Sequence, residues 1–105
     1  MADEIVTTLD QDAHTTTVGL HGEIDVLTVD QVRVALAGAL AARPHELVVD
    51  LRDLTFIDST GLGAIIAGFQ RARDAGVSFR LAYPTPAVRQ ILVLSGLLEV
   101  VQLTE

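Results

Sequence analysis

Asp50-Leu51-Arg52-Asp53-Leu54-Thr55-Phe56-Ile57-Asp58-Ser59-Thr60-Gly61-Leu62-Gly63 carries the chain from a strand into a helix, and the other elements arrange themselves around that passage. Upstream, Glu46 to Leu51 is a near-continuous apolar run (Leu47, Val48, Val49, Leu51), the pattern of a strand buried on both faces of a sheet. Downstream, Leu62, Ile65, Ile66 and Phe69 recur at helical spacing with Arg71, Arg73 and Asp74 on the other face, which predicts a helix over 60–75. Gly76 is placed to end that helix in the left-handed conformation. Between strand and helix, a short turn delivers Ser59 to the helix start.

Working outward, Ile5 to Leu9 and Thr15 to His21 read as strands, with polar Asp10-Gln11-Asp12-Ala13 as the hairpin turn between them. Thr28-Val29-Asp30-Gln31 fits a capping box, so the first helix starts at Thr28, continues through Val29, Val32, Leu36 and Leu40, and stops before Pro44. Val77 to Tyr83 is another strand. Thr85 is a cap followed by Pro86 at the first helical position, and Val88, Ile91 and Leu92 give this third helix a buried face that Ser95-Gly96 closes. Val100, Val101 and Leu103 supply the last strand. The order ββαβαβαβ implies an α/β fold: a mixed, mostly parallel sheet of about five strands with packed helices.

Composition closes several functional classes. At 105 residues, half of them hydrophobic, the chain is one globular domain able to bury a core. It has no cysteine, hence no disulfide framework or thiolate zinc site. The net charge is −7 and all seven basic residues are arginine. An acidic surface repels phosphate backbones, so no nucleic-acid partner is expected, and the absent lysine removes Walker-type and serine–lysine chemistry. Met1-Ala2-Asp3-Glu4 lacks the basic and apolar regions of a signal peptide, and no apolar run approaches the roughly 20 residues that span a bilayer. A cytoplasmic protein without membrane insertion is the expectation.

The Ser59 hydroxyl has three readings. Asp58, Ser59 and Thr60 are all preferred cap types, so a plain helix cap accounts for the local pattern. A nucleophile elbow would need Gly-x-Ser-x-Gly, but position 57 is Ile, and of His14, His45 and His21 only the last stands at a strand end that approaches the serine. The third is phosphorylation: a phosphate there would face helix N–H groups and dipole while adding about two negative charges beside Asp58 and Asp25. Gly61-Leu62-Gly63 does not complete a dinucleotide fingerprint, because Ile66 occupies the third glycine position. Gly22-Glu23-Ile24-Asp25 ends the second strand; paired acids in a loop are ordinarily solvated, yet Asp25 and Ser59 both follow strand C-termini and so share one sheet edge.

Leu54-Thr55-Phe56-Ile57-Asp58-Ser59-Thr60-Gly61-Leu62-Gly63, with Gly22-Glu23-Ile24-Asp25, Val49-Asp50-Leu51 and Ser95-Gly96-Leu97 in the same order, resembles the STAS domain, and within it the stand-alone bacterial anti-sigma factor antagonists. The match runs from about Ile5 to Leu103, making residues 1–105 a single STAS domain. The resemblance implies a transcription regulator, not an enzyme, with no cofactor, metal or catalytic residue. In such proteins the unphosphorylated antagonist binds an anti-sigma factor, itself a serine kinase of the histidine-kinase-like ATPase type, and frees the sigma factor. The kinase phosphorylates the serine that follows Asp, here Ser59; the complex separates, and a metal-dependent serine phosphatase resets the switch. Asp25 matches the acidic loop position beside the phosphorylated serine, and Asp58, Thr60, Gly61 and Leu62 are expected to support the phosphosite or the partner contact. Thr60 replaces the serine often found there and offers a kinase a second hydroxyl. The same fold also serves as a subunit of lipid transporters or stress-sensing assemblies, in which the Ser59 hydroxyl would be dispensable.

Overall fold

Val18 and Leu20 alternate with Thr17, Gly19 and His21, and the first two are sealed from solvent, so one face of their strand is core. In the computed structural model of the chain, which describes residues 6–11 and 14–105, that strand is the second of a five-stranded sheet ordered β1-β2-β3-β4-β5. The strands are β1 (Val6–Gln11), β2 (Thr15–Ile24), β3 (Glu46–Ile57), β4 (Ser78–Ala82) and β5 (Gln102–Thr104). β1 runs antiparallel to β2; every later pair is parallel. Helices α1 (Val29–Ala41), α2 (Ser59–Asp74) and α3 (Pro86–Ser95) make the crossovers, and a single 3-10 turn, Leu97–Glu99, precedes β5. The expected ββαβαβαβ order holds. The proposed start of the first strand at Ile5, and the turn residues Asp12 and Ala13, lie outside the described residues.

Because the parallel strands follow one another across the sheet, right-handed crossovers place all three helices on one face. The core therefore forms on that face alone, from Val18, Leu20, Leu47, Val49, Leu51 and Leu81 against Val32, Leu36, Ile65, Val88 and Leu92. Each fully buried aliphatic side chain contributes about 1.5–3 kcal/mol. The expected burial of the central strand on both faces holds over Leu47-Val48-Val49, but the second face has no helical layer over it. Val48 points away from the helices into a shallow polar concavity with Thr15, Thr17, Asp50, Arg52, Arg80 and Tyr83. There Arg80 bridges Glu46 at 2.9 Å and the Thr104 hydroxyl at 2.6 Å, shielding Val48 without a second helical layer.

Further details differ from expectation: β1 runs on through Asp10 and Gln11, expected in the turn, and β5 begins at Gln102, after Val100 and Val101. β3 does not stop at Leu51 but continues to Ile57 with β2 as its only partner beyond Asp50, so no turn intervenes before Asp58. β2 likewise runs past His21 to Ile24. The capping box at Thr28 does not form: its side chain makes no cap hydrogen bond and the residue is helical in φ and ψ. The caps of α3 are as expected, with the Thr85 hydroxyl accepting from the Val88 N–H and Gly96 left-handed at φ 79°. Gly76 is left-handed at the end of α2, at φ 74°. Among the described residues no helix is long and apolar enough to cross a membrane.

Candidate functional site

The site is built where β2 and β3 end together. Their parallel register closes on Ile24 opposite Ile57, after irregularities between Gly19 and His21 and between Gly22 and Glu23. Two hydrogen bonds clamp this end: the Asp58 N–H donates to the Ile24 carbonyl at 3.1 Å, and the Thr55 hydroxyl donates to the Gly22 carbonyl at 2.9 Å. Ile24, Leu54 and Ile57 are all sealed in the core beneath it. Asp25 and Asp58 thus leave the sheet side by side, about 5 Å apart at the backbone as adjacent strands require.

Asp58 is the N-cap of α2. Its backbone is extended (φ −96°, ψ −176°), and Oδ1 accepts the Gly61 N–H at 2.9 Å. Ser59 is the first helical residue and is exposed; Thr60 is half-buried. The cap therefore belongs to Asp58, and the Ser59 hydroxyl is not used to start the helix. Gly61 faces inward: a Cβ there would lie 2.6 Å from Ile24 Cγ2 and 2.8 Å from Ile57 Cγ1, so the absence of a side chain lets the helix sit directly on the strand ends. Leu62 packs half-buried against the core. Gly63 is exposed, with nothing within 4 Å of where its Cβ would be.

The neighbouring loop is held as tightly. Asp25 Oδ1 accepts the Leu27 N–H at 2.9 Å, while the Asp25 carbonyl accepts the N–H groups of Thr28 and Val29 at 3.1 and 2.9 Å. The Thr28 hydroxyl accepts the Asp25 N–H at 3.1 Å and lies within donating distance of the Glu23 carbonyl, also at 3.1 Å. This turn leaves Val26 and Leu27 70% and 87% exposed, just after Ile24, whose carbonyl holds the Asp58 N–H. Phe56, at the end of β3, is also partly open to solvent.

The structure thus brings Asp25, Asp58, Ser59, Thr60, Gly61 and Leu62 to one sheet edge. It does not bring a histidine there. His14 and His45 meet edge to face at 5.1 Å beside the starts of β2 and β3, the opposite edge. His21 lies in register with Asp53, roughly 15 Å back along the strand from Asp58, and its Nε2 is buried without a hydrogen-bond partner. What Ser59 offers chemically is an exposed hydroxyl at a helix N-terminus, where unpaired N–H groups and the dipole favour an added anion. Sequence reasoning overlooked Val26, Leu27 and Thr55, and read Thr28 as a helix cap alone. The available signal was Val26-Leu27, two consecutive apolar residues between Asp25 and Thr28, ahead of the start of α1.

Comparison with known proteins agrees with this architecture. The sequence model of the STAS domain matches residues 6–105. The anti-sigma F factor antagonist of Paenibacillus polymyxa is 34% identical over 84 residues, covering 79% of this chain and 72% of that protein. The anti-sigma-B factor antagonist of Bacillus subtilis is 29% identical over 87 residues, covering 83% and 79%. Among solved structures, an anti-sigma factor antagonist from Mycobacterium paratuberculosis superposes with a TM-score of 0.85 at 27% identity, covering 94% of this chain and 85% of that one.

Proposed function

The chain belongs to the STAS domain family, and we propose that it acts there as an anti-sigma factor antagonist switched by phosphorylation of Ser59. One observation carries the reading: Asp58 supplies the helix cap, which leaves the neighbouring Ser59 exposed and available to a kinase. The relatives named as antagonists of anti-sigma factors support the choice of partner. Unphosphorylated, the protein binds its anti-sigma factor and so releases the sigma factor. The anti-sigma factor is also a serine kinase; it transfers a phosphoryl group to Ser59, and the complex separates. A serine phosphatase restores the binding form. The protein does no chemistry of its own and works in the cytoplasm.

The physics of the switch is local. A phosphate on Ser59 adds about 1.5 to 2 negative charges next to Asp58 and one strand from Asp25. The helix dipole and first-turn N–H groups accommodate it within the free domain. At an interface it becomes a buried, unpaired charge costing about 3–4 kcal/mol, which weakens binding by two to three decades.

A pull-down from source-cell lysate with wild type, Ser59→Ala and Ser59→Asp as baits tests this. A kinase-type anti-sigma factor held by the first two and lost from the third is the expected result. Recovery of transporter or sensor subunits regardless of residue 59 would move the function elsewhere within the family.

A further inference from the structure

We propose that Thr28 is a positioning residue for the partner contact: its hydroxyl locks the Asp25–Leu27 turn so that Val26 and Leu27 form an apolar anchor beside Ser59. The inference rests on the proposed function, since the partner that the anchor meets is the anti-sigma factor.

The position of Thr28 makes its bonding unusual. It stands where a helix N-cap belongs, and a cap hydroxyl ordinarily accepts an N–H from the first helical turn. Here it makes no such bond. It turns back instead, accepting the Asp25 N–H at 3.1 Å, with the Glu23 carbonyl at 3.1 Å and Asp25 Oδ1 at 3.3 Å as its acceptors. A helix start has been left uncapped by its own threonine in order to close the preceding turn. The side chains displayed by that turn are aliphatic: Leu27, at 87%, is the most exposed large hydrophobic residue among those described, and its neighbour Val26 is 70% exposed. Neither serves the core.

Placement gives the pair its partner. Asp25 leaves the sheet next to Asp58, because the Asp58 N–H is bonded to the Ile24 carbonyl. The anchor therefore stands on the same sheet edge as Ser59, where a protein that reaches the hydroxyl would meet it. An exposed aliphatic pair of this kind contributes most to an interface when it is already held in one conformation, since ordering a loose turn on binding is itself unfavourable. Asp25 takes its role from the same arrangement: its carboxylate faces its own loop and shapes the anchor.

The test measures affinity for the anti-sigma factor captured by the wild-type protein, using Thr28→Val, Thr28→Ser, Leu27→Ala, the Thr28→Val/Leu27→Ala double variant and Ser59→Asp, with melting curves for each. Thr28→Val should bind about tenfold more weakly, as befits a displaced anchor, while Thr28→Ser stays within about twofold of wild type. In the Leu27→Ala background Thr28→Val should add little, because both act through one contact. Wild-type affinity for Thr28→Val, equal weakness of Thr28→Ser and Thr28→Val, or full additivity with Leu27→Ala would each overturn the proposal. Ser59→Asp reports on the switch separately: tight binding by that variant would sink the phosphorylation reading while the Thr28 comparison still decided this one.

Discussion

Asp58 and Ser59 divide two tasks that one residue at a helix start could have combined. Asp58 holds the Gly61 N–H and fixes the direction of α2; Ser59 stands exposed beside it. Asp58→Ala should therefore lower stability by about 1 kcal/mol, the usual loss of an N-cap, measured by urea unfolding. Ser59→Ala should change it by less than about 0.5 kcal/mol, as an exposed residue outside any cap does. Equal losses at both positions would mean that the serine shares the capping. The sequence alone left this division open, because Asp58, Ser59 and Thr60 are all cap formers, and only the extended backbone at Asp58 separates them. Thr28 was misread for the complementary reason: the capping-box spacing to Gln31 is present, but the bonds to Asp25 and Glu23 outcompete the cap.

At the scale of elements, the site depends on how closely α2 approaches the ends of β2 and β3. Gly61→Ala would set a methyl 2.6 Å from Ile24 Cγ2 and 2.8 Å from Ile57 Cγ1. The expected loss is about 1–3 kcal/mol, typical of overpacking. Gly63→Ala, which meets nothing within 4 Å, should leave stability equal or slightly higher, while a methyl on that exposed surface should weaken anti-sigma factor binding. Denaturant melts paired with affinity measurements separate the two glycines. Element order and helix ends were legible in the sequence, since Pro44, Gly76, Thr85-Pro86 and Gly96 punctuate the chain with residues of narrow conformational preference. The second half of β3 was not. From Leu51 to Ile57 every third residue is buried instead of every second, because the strand there pairs only with β2 across register shifts. Arg52, Asp53 and Thr55 then resemble a turn.

For the molecule as a whole, a sheet covered by helices on one face positions Asp25, Asp58 and Ser59 at the C-terminal edge and leaves the opposite face polar. The apolar run Leu47-Val48-Val49 hid this arrangement, because Val48 is buried by neighbouring side chains on the open face rather than by a helix. The net charge of −7 belongs to the same scale. Association with a more basic partner should slow as salt shortens the Debye length from about 10 Å at 0.1 M to about 3 Å at 1 M, with dissociation changing less. An association rate indifferent to salt would exclude long-range steering. The most direct test of the account compares the affinity of the anti-sigma factor for the unmodified chain and for the chain phosphorylated at Ser59, with the modified residue mapped by mass spectrometry. The phosphorylated form should bind two to three decades more weakly, a loss of about 3–4 kcal/mol. Affinities equal within about twofold, well below one decade, or a phosphate carried on Thr60 instead, would contradict a switch operated through Ser59.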